Sequence, residues 1–135
     1  MRILLLFLAL AGCATTSDEV RARLEAIEAP FRVPGTVAAR LGEEVRVNDL
    51  SIRPLEVLED SRCPIDVTCI WAGRVRVRVA ISGAGEPVME IGQFVLLPNG
   101  TAVVLTAVAP PRWQAPPPGV DASAPARFAF SLGRP

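Results

Sequence analysis

Between Arg74 and Val79 apolar and charged side chains alternate without a break. Val75, Val77, Val79 and Ile81 fall on one parity, and Arg74, Arg76 and Arg78 on the other. A period of two is the signature of a strand with one face in a core and the other in water. The spacing predicts a strand from Ile70 to Ile81. Shorter runs repeat the pattern. Val45 and Val47 precede an Asn48-Asp49 turn signal, and Leu50 and Ile52 follow it. Pro54 then interrupts, and Leu55 and Val57 continue on the other parity, which predicts a bulge or an edge position. Further strands are expected at Val88 to Ile91, Phe94 to Leu97, Ala102 to Ala109, and around Phe128, Phe130 and Leu132. Ser82-Gly83-Ala84-Gly85 and Pro98-Asn99-Gly100 supply turns between them.

Seven or eight short strands with no helix between them specify an all-β antiparallel domain. A small β-sandwich over residues 36–135 is the expected architecture, with a small barrel as the alternative. The segment 110–125 holds six prolines in sixteen residues. It is too proline-rich for a sheet and reads as a surface loop.

The N-terminus follows a different logic. Met1-Arg2 is a short positive start, and Ile3 to Leu10 is an unbroken apolar run. Eight helical residues span about 12 Å, far short of the roughly 30 Å of a bilayer core. Residues 1–12 therefore read as a signal peptide. Leu10-Ala11-Gly12-Cys13 resembles a lipobox, which implies cleavage before Cys13 and diacylglycerol on its sulfur. More than one acyl chain, at roughly 0.8 kcal/mol per buried methylene, gives stable anchoring. Ala14 at the following position implies the outer membrane, with the domain facing the periplasm. Residues 13–35 form the lipidated start, a tether and a short helix. Thr16 with Glu19 matches a capping box, Val20, Leu24 and Ile27 recur at helical spacing, and Pro30 stops the run. The expected helix runs from Ser17 to Glu28, as a spacer or docked on the domain.

Composition narrows the chemistry. The sequence has no His, and all 14 basic residues are arginine. The commonest general base and metal ligand is thus missing. From Cys13 onward 13 arginines face 14 carboxylates, a net charge of −1, so nucleic acid is not an expected partner.

With Cys13 lipidated, Cys63 and Cys69 remain, and an oxidising compartment predicts a disulfide between them. A closed loop this short contributes roughly 2.4 kcal/mol in the chain-entropy model. If pairing stays regular, Cys69 and Trp71 share the parity of Val75 and Val77 and enter the core. A bulge at Gly73 would break that register.

Asp60-Ser61-Arg62-Cys63-Pro64, followed by Val67-x-Cys69-x-Trp71-Ala72-Gly73, resembles a signature of uncharacterised bacterial lipoproteins. The resemblance covers roughly Leu41 to Val108. It implies a strand ending at the acidic-Ser-Arg-Cys-Pro turn and another opening after Trp-Ala-Gly. It brings no assigned activity.

Chemistry beyond binding is poorly supplied. Redox dithiols usually have two residues between them at a helix start, whereas Cys63 and Cys69 have five between them and lie between strands. No spare thiol or imidazole is available for zinc or copper, and no metal or cofactor is expected. Glu59, Asp60 and Asp66 offer a few oxygens, but Asp60 is better read as a partner of the turn backbone or of Arg62. A carboxylate-dependent hydrolase remains the alternative from another class. The leading expectation is a non-enzymatic envelope lipoprotein that binds an envelope protein or polymer, or serves a structural role. An inhibitor of an envelope-attacking hydrolase is the variant within that class. The candidate contact surface is the loop with Asp60, Ser61, Arg62 and Asp66, and then the row Arg74, Arg76 and Arg78. That row can grip anions, or pair with Glu56, Glu86 and Glu90 across the sheet.

Overall fold

The computed structural model describes residues 16–133; Cys13 and the signal segment lie outside them. Helix α1 spans Ser17–Glu28. Thr16 caps it as the sequence predicts: its hydroxyl accepts from the Glu19 N–H at 3.3 Å, and the Glu19 carboxylate accepts from the Thr16 N–H at 3.0 Å. The two bonds satisfy helix-end donors reciprocally. Pro30 does not end the structure there. The chain tightens into a 3-10 turn, Ala29–Arg32, in which a proline near the start leaves no donor unsatisfied.

Eight strands follow. They are β1 (Thr36–Arg40), β2 (Val45–Val47), β3 (Leu50–Asp60), β4 (Val75–Ile81), β5 (Val88–Glu90), β6 (Phe94–Leu96), β7 (Ala102–Ala109) and β8 (Arg127–Gly133). They form two four-stranded antiparallel sheets, ordered β1-β8-β7-β6 and β2-β3-β4-β5. No ladder joins the sheets among the described residues, so the domain is a sandwich and not a closed barrel.

The core lies between the inner faces. Val75, Val77, Val79 and Ile81 of β4, with Ile52 and Met89, meet Val103, Leu105, Phe128 and Phe130 of the opposite sheet. Each fully buried side chain of this kind contributes about 1.5–3 kcal/mol. The intervening β4 positions Arg76, Arg78 and Ala80 are only partly covered, as alternation requires.

Pro54 is buried inside β3, and the register shifts between Pro54 and Glu56 and again between Val57 and Glu59. On its other flank β3 pairs with β2 only over Leu50–Ile52. The proline thus sits beyond the two-sided part of the strand, where a missing donor costs least.

β7 is buried along nearly its whole length. It pairs with β6 on one side and β8 on the other, and α1 packs across it. The helix is therefore docked. The Arg127 guanidinium bonds Glu28 at 2.8 Å and lies 4.7 Å from the Phe31 ring centroid, a cation–π distance.

The sequence-predicted strand from Ile70 to Ile81 is too long. β4 begins at Val75, and Cys69 and Trp71 do not enter the core: Trp71 is 82% exposed. Gly73 is the reason. Its φ of +68° takes the chain out of extended geometry and breaks the parity on which the longer strand depended.

Candidate contact loop and the cleft beside it

The β3–β4 hairpin does not end where its ladder does. The Ser61 N–H donates to the Arg74 carbonyl at 2.8 Å, and the Cys63 N–H to the Ala72 carbonyl at 2.9 Å. A Cβ at Gly73 would fall on the Ser61 carbonyl oxygen, so close crossing of the two arms requires glycine. Cys63 and Cys69 are disulfide-bonded, as predicted, with Cα atoms 5.9 Å apart. The cross-link closes the tip of the hairpin.

Three arginines fix this loop, two by gripping its main-chain carbonyls and one, Arg62, by reaching from it to carbonyls outside. Arg23 of α1 donates from NH1 to the carbonyls of Ile65 and Val67, at 3.0 Å each. Arg62 places NH1 on the Val108 carbonyl at 2.7 Å and NH2 on the Pro110 carbonyl at 3.3 Å. Arg112, in the proline-rich segment, donates to the Arg62 carbonyl at 3.0 Å, while its own carbonyl accepts from the Ile65 N–H at 2.8 Å. Asp66 completes the frame by accepting from the N–H groups of Gln114 and Ala115, at 2.9 and 2.7 Å. The start of the proline-rich segment is thus bound to the loop. Ile65 is only 4% exposed.

The predicted site residues divide accordingly. Asp60 takes both alternatives read from the sequence, holding the Arg62 side chain and accepting weakly from its N–H at 3.4 Å. The Ser61 hydroxyl donates to Glu59 at 3.1 Å and accepts from the Arg74 N–H at 3.2 Å. The arginine row is ion-paired. Arg78 meets Glu56 at 3.3 Å, Arg76 meets Glu90 at 3.7 Å, and Arg74 meets Glu59 at 3.1 Å. Glu59 takes the place expected of Glu86, because β3 reaches far enough to set Glu59 opposite Arg76.

Every carboxylate with a resolved shift moves downward. Burial pushes the Asp60 carboxyl up, but the hydrogen bonds and charge of Arg62 outweigh this and hold it below its ordinary value. The Gln114 N–H, with that of Ala115, does the same for Asp66. The Arg74 guanidinium lowers Glu59, and Arg46 with Arg53 lowers Glu44. The Ser123 hydroxyl and N–H lower Asp121. A general acid working near neutrality requires a shift in the other direction.

Two features escape a sequence reading. The first is Ile70-Trp71 at the loop tip, 94% and 82% exposed beside the disulfide. The second is an open cleft of about 560 Å³ between α1, the loop and the end of β7. Ala26 and Ile27 form its helical wall, Pro64, Ile65 and the disulfide the loop wall, and Thr106 to Val108 its floor. Among the described residues no group of three or more His, Cys, Asp or Glu is arranged to hold a metal ion, and no helix is long and apolar enough to cross a membrane. The chain matches no family model, no curated protein and no solved structure.

Proposed function

We propose that this protein is a lipid-anchored envelope module without enzymatic activity, and that the disulfide loop from Asp60 to Gly73 is its contact surface for another protein. The observation that carries the reading is the exposure of Ile70 and Trp71 on a loop that three arginines tie to the rest of the domain. Two large apolar side chains in water on a fixed frame form a contact whose ordering cost is already met, and tryptophan is among the residues that dominate binding energy. The lipobox at Leu10 to Cys13 supports the anchor. With Cys13 lipidated, three residue steps separate it from the Thr16 cap, about 10–11 Å when fully extended. Since α1 is bonded to the domain, the loop works close to the lipid surface and not on a long leash.

An inhibitor of an envelope-attacking hydrolase is a specific form of the same reading, because a rigid, cross-linked, exposed loop is what an inhibitor inserts into its target. The arginine row takes second place as a contact, since each of its members already has a carboxylate partner.

The test has two parts. Metabolic labelling with a radioactive fatty acid is expected to mark the protein and to fail with Cys13→Ser; unlabelled wild type would remove the anchor. A photo-crosslinker at position 70 in intact cells is expected to give a discrete adduct with one protein. The same probe at Ser82, at the far end of β4, is expected to give none. Identical patterns at the two positions would remove the contact surface.

A further inference from the structure

The cleft beside the loop has a charge pattern that its volume alone does not reveal. Its charged lining residues are Arg23, Arg62 and Arg112, with no Asp or Glu among them. Arg62 is neutralised by Asp60 at 2.8 Å. Arg23 and Arg112 bond main-chain carbonyls of the 62–67 run, which carry no formal charge; neither lies within ion-pair distance of a carboxylate among the described residues, and the Arg112 charge acts on Asp60 only from farther off. Two cations therefore line the same cleft, beside a surface of Ile27, Ile65, Val67 and Val108. A guanidinium offers five donors, and each of these two uses only NH1 in those bonds.

The floor of the cleft decides what kind of tail fits. β8 pairs with β7 along the floor, while β6 meets it only over Ala102–Val104; beyond that point the Leu105 carbonyl already accepts from the Gly92 N–H and the Val108 carbonyl from Arg62, so much of the strand's hydrogen-bonding capacity there is taken. A polypeptide laid there would leave backbone groups without partners, at a cost that an alkyl chain does not incur. About 560 Å³ falls within the ordinary range for small-molecule sites, roughly 300–1,000 Å³.

We propose that this cleft is a binding site for a long-chain fatty acid. Its alkyl chain lies on the apolar walls between α1 and the loop, and its carboxylate meets the guanidinium groups of Arg23 and Arg112. The carboxylate supplies the negative charge the lining lacks, and the tail asks for no hydrogen bonds. This assignment is independent of Ile70-Trp71 and of the lipid on Cys13.

The full chain carrying Cys13→Ser, which removes the protein's own lipid as an occupant, is titrated with palmitate labelled with carbon-13 at the carboxyl. The expected result is one saturable site below the concentration at which palmitate aggregates, with a distinct bound carboxyl resonance in the NMR spectrum. Ala26 is exposed on the helical wall, so Ala26→Trp fills the cleft without disturbing the core and is expected to abolish binding. Arg112→Gln, alone and with Arg23→Gln, is expected to weaken palmitate by about tenfold or more, as loss of a charge-assisted bond implies. Hexadecanol, with the same tail and no charge, is expected to bind these variants as it binds the parent. If Arg23→Gln loosens the loop, seen as a lower melting temperature, Arg112→Gln and Ala26→Trp still decide the matter. Absence of saturable binding, or binding untouched by Ala26→Trp, overturns the site. Equal loss of palmitate and hexadecanol in the arginine variants overturns the assignment of the carboxylate.

Discussion

Both carboxylate oxygens of Asp60 accept from the Arg62 guanidinium, at 2.8 Å each, while that same guanidinium reaches the Val108 carbonyl in the opposite sheet. The pair therefore joins the end of β3 to the end of β7. The Arg62 side chain is only 18% exposed, so its bonds are screened less than those of a surface pair. Arg62→Ala is expected to cost about 1.5–3 kcal/mol, the range for a lost charge-assisted hydrogen bond. Asp60→Ala is expected to lower the melting temperature as well. The double variant should lose less than the two single losses combined, because the residues act on one another. Additive losses in thermal denaturation would show that the pair is not coupled.

Gly73→Ala tests the crossing of the hairpin arms. The left-handed conformation alone costs a residue with a Cβ about 1–2 kcal/mol, and here the new methyl group meets the Ser61 carbonyl. The loss is expected to exceed that range in chemical denaturation. Gly83 also has positive φ, at +82°, but open space around it. Gly83→Ala should lose only the conformational part. Equal losses at the two positions would mean that the close approach to Ser61 carries no strain.

Acid is expected to destabilise the loop first. Asp60, Asp66, Glu59 and Glu44 all have folded-state pKa values below their ordinary ones. In the window between, the unfolded chain binds more protons, so stability rises with pH. The contribution is complete above the ordinary carboxylate range and is lost as pH falls through the lowered values. Denaturant midpoints across that range should fall with acid, and Asp60→Asn should flatten the slope. A midpoint independent of pH there would contradict the shifts. Hydrogen exchange adds a local reading: in Asp66→Ala the Gln114 and Ala115 amides are expected to exchange faster, having lost their acceptor.

Ile70→Ser and Trp71→Ser are expected to leave stability within about 0.5 kcal/mol of the parent, as exposed positions do. A melting temperature lowered by several degrees would make Trp71 a structural residue, as regular strand pairing through Gly73 would have had it.

The legible parts of the fold were those encoded in side-chain periodicity. Thr16, Glu19 and the Val20-Leu24-Ile27 spacing define α1 as found, and the unbroken run from Ala102 to Ala109 marks β7 as a covered strand. The Cys63–Cys69 disulfide agrees with the expectation drawn from setting Cys13 aside and assuming an oxidising compartment. The start of β4 did not follow, because one backbone angle at Gly73 reverses which face Cys69 and Trp71 present. Arg23 and Arg112 were invisible as parts of the site for another reason. They bond main-chain carbonyls, which every residue possesses, so no pattern in the partner segment announces them. The cleft is hidden in the same way, being a product of how α1 docks.

That choice of carbonyl acceptors bears on how the loop can change over time. Hydrogen bonds to peptide oxygens make no demand on the identity of the residues that carry them. Substitutions at Thr68, Ile70 or Trp71 leave each arginine staple with the same oxygen to grip. The tip can exchange one set of side chains for another while its frame stays put, because the oxygens that are gripped belong to Arg62, Ile65 and Val67 and not to those positions.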